Sequence, residues 1–179
     1  MAQHIMLDLE TCGTVADCVV LTLGAVKFDP FDFDKEPDQP FYIRINVEEQ
    51  TERGRIVDPN TIHWWSQQPQ AAQDEAFGED GRISMDELTV QLNRYIVGAD
   101  KIWAQGPLFD IMILENFYKM LGKPAPWQYY QIRDSRTVFD MGDDSAKTMN
   151  GNAHNALADS FCQAKAVQAI YKQLGVKKK

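Results

Sequence analysis

Asp8 and Glu10 stand two positions apart in the run Ile5-Met6-Leu7-Asp8-Leu9-Glu10. On a strand, that spacing projects both carboxylates from one face, where both can reach a single cation. Two ionised groups within an apolar strand are costly unless a metal or a positive partner offsets them. The same pattern also fits a strand side that simply faces solvent. A third acid, Asp110, follows Gly106-Pro107-Leu108-Phe109. It falls just past a strand end, in the first turn of a helix, where a carboxylate complements the helix dipole. Open α/β sheets also place their ligands there. Late in the chain, Gly151-Asn152-Ala153-His154-Asn155-Ala156-Leu157-Ala158-Asp159 sets an imidazole in a loop and an acid about one turn inside the helix that follows. Taken separately, such a histidine reads as a surface residue and such an aspartate as a dipole partner.

Taken together, Asp8, Glu10, Asp110 and Asp159 form a cage of hard oxygen ligands suited to Mg2+ or Mn2+. Hydrolysis of a phosphodiester by in-line attack needs one cation to generate hydroxide. A second, about 3.5–4 Å away, steadies the leaving oxygen. His154 adds a side chain type of near-neutral pKa that can take the proton from the attacking water.

The order of these residues, D-x-E, then a later Asp after the fourth strand, then H-x4-D, resembles the DEDDh group of 3′–5′ exonucleases. The likeness runs from about Ile5 to Leu174, and no Tyr stands near Asp159 to suggest the tyrosine branch. Three further stretches, Thr61-Ile62-His63-Trp64-Trp65, Trp103–Asp110 and Arg133-Asp134-Ser135-Arg136-Thr137, look like the phage exonuclease A and bacterial ribonuclease AS branch. The resemblance implies an α/β, ribonuclease H-like fold with a mixed five-stranded sheet, three antiparallel strands then two parallel, flanked by helices. It implies two divalent cations, Mg2+ or Mn2+, on Asp8, Glu10, Asp110 and Asp159, with His154 as general base. With it come substrate contacts by Leu9, Thr11, Trp65 and Phe109. The expected partner is the 3′ end of single-stranded RNA or DNA, RNA by branch, with release of nucleoside 5′-monophosphates. A homodimer is also implied, in which Arg133 or Arg136 completes the neighbour's site. The rivals are a DNA-directed exonuclease, an endonuclease of related fold, and a non-catalytic nucleic-acid-binding module.

The elements that must carry these groups are legible. Ile5, Leu7 and Leu9 face one way, and Met6, Asp8 and Glu10 the other. Strands at Val19–Phe28 and Phe41–Val47 follow after short loops, which predicts an antiparallel meander. Asp58-Pro59 predicts a helix start through Trp64 and Trp65, adjacent residues about 100° apart, so that one can join the core while the other offers a stacking face. Ser84-Met85-Asp86-Glu87 reads as a capping box for a helix ending at Gly98. A short strand at Lys101–Ala104, a helix ended by Gly122 and Pro124, a strand at Gln131–Arg133 and a helix over Asn155–Leu174 complete the order. Residues 48–59 and 67–82 read as loops. His63 reads as a packing residue. Arg133 and Arg136 have three readings: contact with the substrate backbone, a subunit contact, or ion pairs with Asp134 or Asp140.

Length and composition set the frame. A chain of 179 residues that is 44% hydrophobic can bury a full core, and residues 1–175 are expected to form a single domain before a basic 176–179 tail. That tail reads as a frayed terminus. No apolar run nears the roughly 18 residues of a membrane span, and the opening MAQHIMLDLE lacks the plan of a signal peptide, so a cytosolic protein is expected. Cys12, Cys18 and Cys162 have no CxxC spacing and read as small buried thiols. The net charge of −8 disfavours counterion-release binding of duplex backbone. It leaves open an enzyme whose acids gather cations that then meet phosphate.

Overall fold

Period-two alternation builds the centre of the molecule. The computed structural model describes residues 3–148 and 154–178, so the Gly151–Ala153 part of the histidine loop and Lys179 lie outside the described residues. β1 (His4–Thr11) pairs antiparallel with β2 (Val20–Phe28), and β2 pairs antiparallel with β3 (Asp38–Ile45). β5 (Lys101–Ala104) lies parallel to β1, and β6 (Ile132–Asp134) lies parallel to β5. These are the expected three antiparallel and two parallel strands. A sixth strand, β4 (Arg82–Ile83), joins the far edge, giving the order β4-β3-β2-β1-β5-β6. It is only two residues long, too short for a periodic signal, and Arg82 fastens it by donating to the carbonyls of Leu21, Ile45 and Ala76.

Each face of the sheet is covered. Ile5, Leu7 and Leu9 pack with Met85, Leu88 and Leu92 of α4 (Met85–Ile96) and with Ile111, Leu114 and Phe117 of α5 (Asp110–Met120). Met6, Val26 and Trp103 pack on the other side with Val138 of α6 (Ser135–Phe139) and Val167 and Ile170 of α7 (Ala156–Leu174). The Met6 side of β1 is therefore no solvent face.

The caps fall where the sequence places them. Asp58 accepts from the Asn60 N–H ahead of α2 (Pro59–Trp65), Ser84 from the Glu87 N–H, and Asn155 from the Ala158 N–H. Two stretches expected as loops are partly helical, however. α1 (Val47–Glu52) follows Asn46, and α3 (Gln70–Phe77) buries Ala72 and Ala76 beneath Leu21 and Trp65. Both are short and owe their stability to tertiary partners more than to an apolar stripe. Gln50 of α1 acts as a strand edge for Val20, accepting from its N–H and donating to its carbonyl, each at 2.8 Å. On α7 the larger residues Leu157, Phe161 and Tyr171 are partly buried, and the fully covered stripe is mostly small, including Ala156, Ala164 and Ala166. All three cysteines are buried. Among the described residues no helix is long and apolar enough to cross a membrane.

Candidate active site

Three separate parts of the chain meet at the carboxyl end of β1. Asp8 and Glu10 leave that strand on the α7 side. Asp110 opens α5 after β5, where its Oδ1 accepts the Leu9 N–H at 3.1 Å and so locks α5 to β1. Asp159 lies in the first turn of α7, and its Oδ2 accepts the His154 N–H at 3.1 Å. Glu10, His154 and Asp159 each place a potential ligand atom within 4.8 Å of the others. Asp8 and Asp110 border this trio, their charges acting on Glu10 and on each other. Glu10 and Asp110 are 8% and 2% exposed, burial that the core alone does not explain for two carboxylates.

Their ionisation is opposed throughout. Burial raises Glu10 to about 9, reinforced by the charges of Asp8, Asp159 and Asp110. Burial and Asp159 raise Asp8 to about 7 against a hydrogen bond from Gln163. Asp110 is held well above the usual carboxylate range by burial and by Asp8, with the N–H groups of Asp110 and Leu9 and the charge of Arg136 opposing. Burial also raises Asp159, against the His154 N–H.

α7 can reach β1 only because β2 carries a glycine. Gly24 faces Asp8 in the ladder, and a methyl group on it would overlap Ala156 and the Leu157 backbone nitrogen. Gly24→Ala is therefore expected to push the first turn of α7 outward, taking Asp159 and His154 with it. The measurement is a crystal structure with matched kinetics: turnover should fall by about 10²-fold, the cost of roughly 1 Å of misplacement. Full turnover with α7 in place would sink this account.

His154 itself has φ +68°, a left-handed conformation uncommon outside glycine and concentrated at functional positions. Its ring meets the edge of Trp64 at 4.9 Å between centroids and that of Trp65 at 6.1 Å. Beside it runs a cleft of about 470 Å³. Leu9, Thr11, Trp65 and Phe109, the expected substrate residues, all line this cleft with Glu10. Trp65 is nevertheless turned inward at 2% exposed, its Nε1 donating to the Thr11 carbonyl at 2.9 Å. Trp64 is the exposed ring, at 40%.

The other histidines serve elsewhere. His4 is buried, accepts from Trp103 Nε1 at 2.9 Å, and is lowered to about 4 by that burial. His63 sits 3.1 Å from the Gln67 amide on the surface of α2. Arg133 donates to the carbonyls of Tyr130 and Ile132, and Arg136 to that of Gln105. Asp134 instead caps α6 and accepts the Gly106 N–H. Sequence reading missed Gln163, whose Nε2 donates to Asp8 Oδ1 at 3.0 Å. Its position four residues past Asp159 was the available signal, since such residues share a helix face.

Residues 3–171 match the Rv2179c-like 3′-5′ exoribonuclease domain family. The chain belongs to that family, which is one of hydrolytic 3′–5′ exonucleases. No curated protein matches the sequence significantly. Among solved structures, Escherichia coli exonuclease I in complex with a dT13 oligonucleotide superposes at a TM-score of 0.69 and 15% identity, covering 98% of this chain and 43% of that one. Exonuclease I from Methylocaldum szegediense gives 0.69 and 15%, with 98% and 42% covered. Cell-death related nuclease 4 gives 0.65 and 16%, with 97% and 64% covered. At these identities the superpositions establish the fold. The exonuclease domain spans less than half the length of the exonuclease I chains it matches.

Proposed function

We propose that this exonuclease domain removes nucleotides one at a time from the 3′ end of single-stranded RNA, releasing nucleoside 5′-monophosphates. The observation that carries the reading is the convergence of four carboxylates and one imidazole beside a cleft of small-ligand size.

The residues fit a pair of divalent cations. Four acids pressed toward their protonated forms by burial and by one another are costly unless cations offset them. Their all-oxygen donor set suits Mg2+ or Mn2+, and Asp8, Glu10, Asp110 and Asp159 would hold them. When bound, the ions would neutralise phosphate charge and make an attacking water easier to deprotonate.

The chain's own groups do the rest. His154 accepts the proton of the water, whose oxygen attacks phosphorus as the bond to O3′ breaks. The new phosphate oxygen stays with the departing nucleotide, and O3′ takes up a proton from solvent, so the shortened strand ends in a 3′-hydroxyl. Trp64 and the hydrogen bond from the His154 backbone to Asp159 hold the imidazole over the acids. Leu9 and Phe109 offer apolar walls to the terminal base, and Trp64 an exposed ring on which it can stack. RNA is favoured by the name of the family, and a contact to the 2′-hydroxyl would enforce it. The buried free thiols of Cys12 and Cys18 favour a reducing compartment, the cytosol. The homodimer rests on the resembling branch, in which Arg133 or Arg136 would complete the neighbour's site, and light scattering checks it.

The test is degradation of matched 5′-labelled RNA and DNA oligomers. A one-nucleotide ladder receding from the 3′ end, faster on RNA, is expected with Mn2+ or Mg2+ and none in chelator. Adding either ion to metal-free protein should also raise its melting temperature. Unchanged cleavage in excess EDTA, or cutting of a circular single strand, would rule the reading out.

A further inference from the structure

Two buried glutamines lie five residues apart on α7, and they are used differently. Gln168 Nε2 contacts the carbonyls of Asp29, Asp32 and Lys35 at 2.9–3.0 Å. That triple attachment ties the β2–β3 connection to the helix and is a folding role. Gln163 lies one turn past Asp159 and is 5% exposed. Its Nε2 makes one hydrogen bond, to Asp8 Oδ1 at 3.0 Å, and its Oε1 is buried with no donor among the described residues.

A buried amide with most of its hydrogen-bonding capacity unused costs free energy relative to an apolar side chain of the same shape. Gln168, whose Oε1 likewise has no donor among the described residues, offsets that cost through the three carbonyls its Nε2 contacts. Gln163 has a single partner, and its neighbours on the buried stripe are Ala164, Ala166 and Val167, where an apolar residue would pack without penalty. What Gln163 does achieve is local: its N–H fixes one oxygen of Asp8 and with it the orientation of the whole carboxylate. Groups that orient a ligating carboxylate in this way tune metal affinity although they never touch the ion.

We propose that Gln163 is a positioning residue that sets the Asp8 carboxylate for divalent-cation binding. The inference rests on the two-cation reading of the site.

Isothermal titration of metal-free protein with Mn2+ tests it. Gln163→Met keeps the volume and removes the donor, so affinity should fall by about 10–100-fold. The metal-free melting temperature should stay within about 4 °C of wild type. Gln168→Met is the contrast: it should lower the melting temperature and leave Mn2+ affinity unchanged. Wild-type affinity in Gln163→Met would overturn the proposal. Should that variant fail to fold, the wild type still decides by NMR. Addition of Mg2+ should shift the Gln163 side-chain amide signals while those of Gln168 stay, and unmoved Gln163 signals would overturn it. Absence of any Mn2+ binding by the wild type would instead overturn the two-cation reading, and this inference with it.

Discussion

Glu10→Gln is expected to suppress turnover and, in the metal-free protein, to raise the melting temperature. The loss should be on the order of 10²–10³-fold or more, the scale on which a single preorganised electrostatic group acts at a reacting centre. The gain follows from linkage. Folding lifts Glu10 from an ordinary value of 4.5 to about 9, so the folded state holds a proton that the unfolded state has released. Wherever the folded state binds more protons, stability falls as pH rises. For Glu10 that window runs from about 4.5 to about 9, and Asp8 adds to it between 3.8 and about 7. Thermal melts in chelator should therefore show the wild type losing stability steadily from pH 5 to pH 8. Glu10→Gln carries no charge to bury, so its curve should be flatter and higher by about 4–8 °C at pH 8, roughly 2 kcal/mol for a chain of this length. Such an exchange of activity for stability is the mark of a strained functional site. A wild type that grows more stable over this range, or a variant that melts lower, would contradict the electrostatic description.

His154→Ala should lose about 10²–10⁴ in turnover, the usual worth of a positioned general base. Its response to metal should differ from that of the acid variants. The imidazole is proposed as base and not as ligand, so the thermal gain on adding Mn2+ should survive. In Asp159→Ala both the gain and the activity should go. The pH–rate profile reads the same claim independently, because the inflection due to the base should vanish in the variant. Alanine is strained at φ +68°, so His154→Asn serves as a control: asparagine tolerates that conformation and cannot act as the base. If either variant turns over near the wild-type rate with its inflection intact, the base lies elsewhere.

Much of this was legible in the chain, for reasons that differ by residue. Ile5 to Glu10 declares its two faces because a strand has a period of two and both sides are covered, one by α4 and α5, the other by α7. The five polar residues of the cluster could be named because chemistry constrains type and spacing together. α1 and α3 were not legible. Gln50 earns its helix by pairing with the backbone of Val20, thirty residues away, and Ala72 and Ala76 depend on Leu21 and Trp65. No local pattern encodes such partners. The division of labour between Trp64 and Trp65 was foreseeable as a division, but which ring turns inward is set by the carbonyl of Thr11. Gln163 escaped because a lone glutamine on a helix reads as a solvent-facing residue until its partner, 155 positions earlier, is in view.

That separation has a consequence for the cell that makes the protein. The cluster joins residue 8 to residue 159, and α7 must settle on Gly24 before Asp159 meets Asp8. On a ribosome the chain emerges from its N-terminus at about 5–20 residues per second, and contacts between distant residues are the last to form. A nascent chain therefore carries Asp8 and Glu10 for several seconds with nothing to complete them. The cluster comes into being only once α7 has been synthesised and docked. A 3′–5′ exonuclease whose proposed site spans residues 8 to 159 is in this way inert until α7 has docked, by the order in which its own residues arrive.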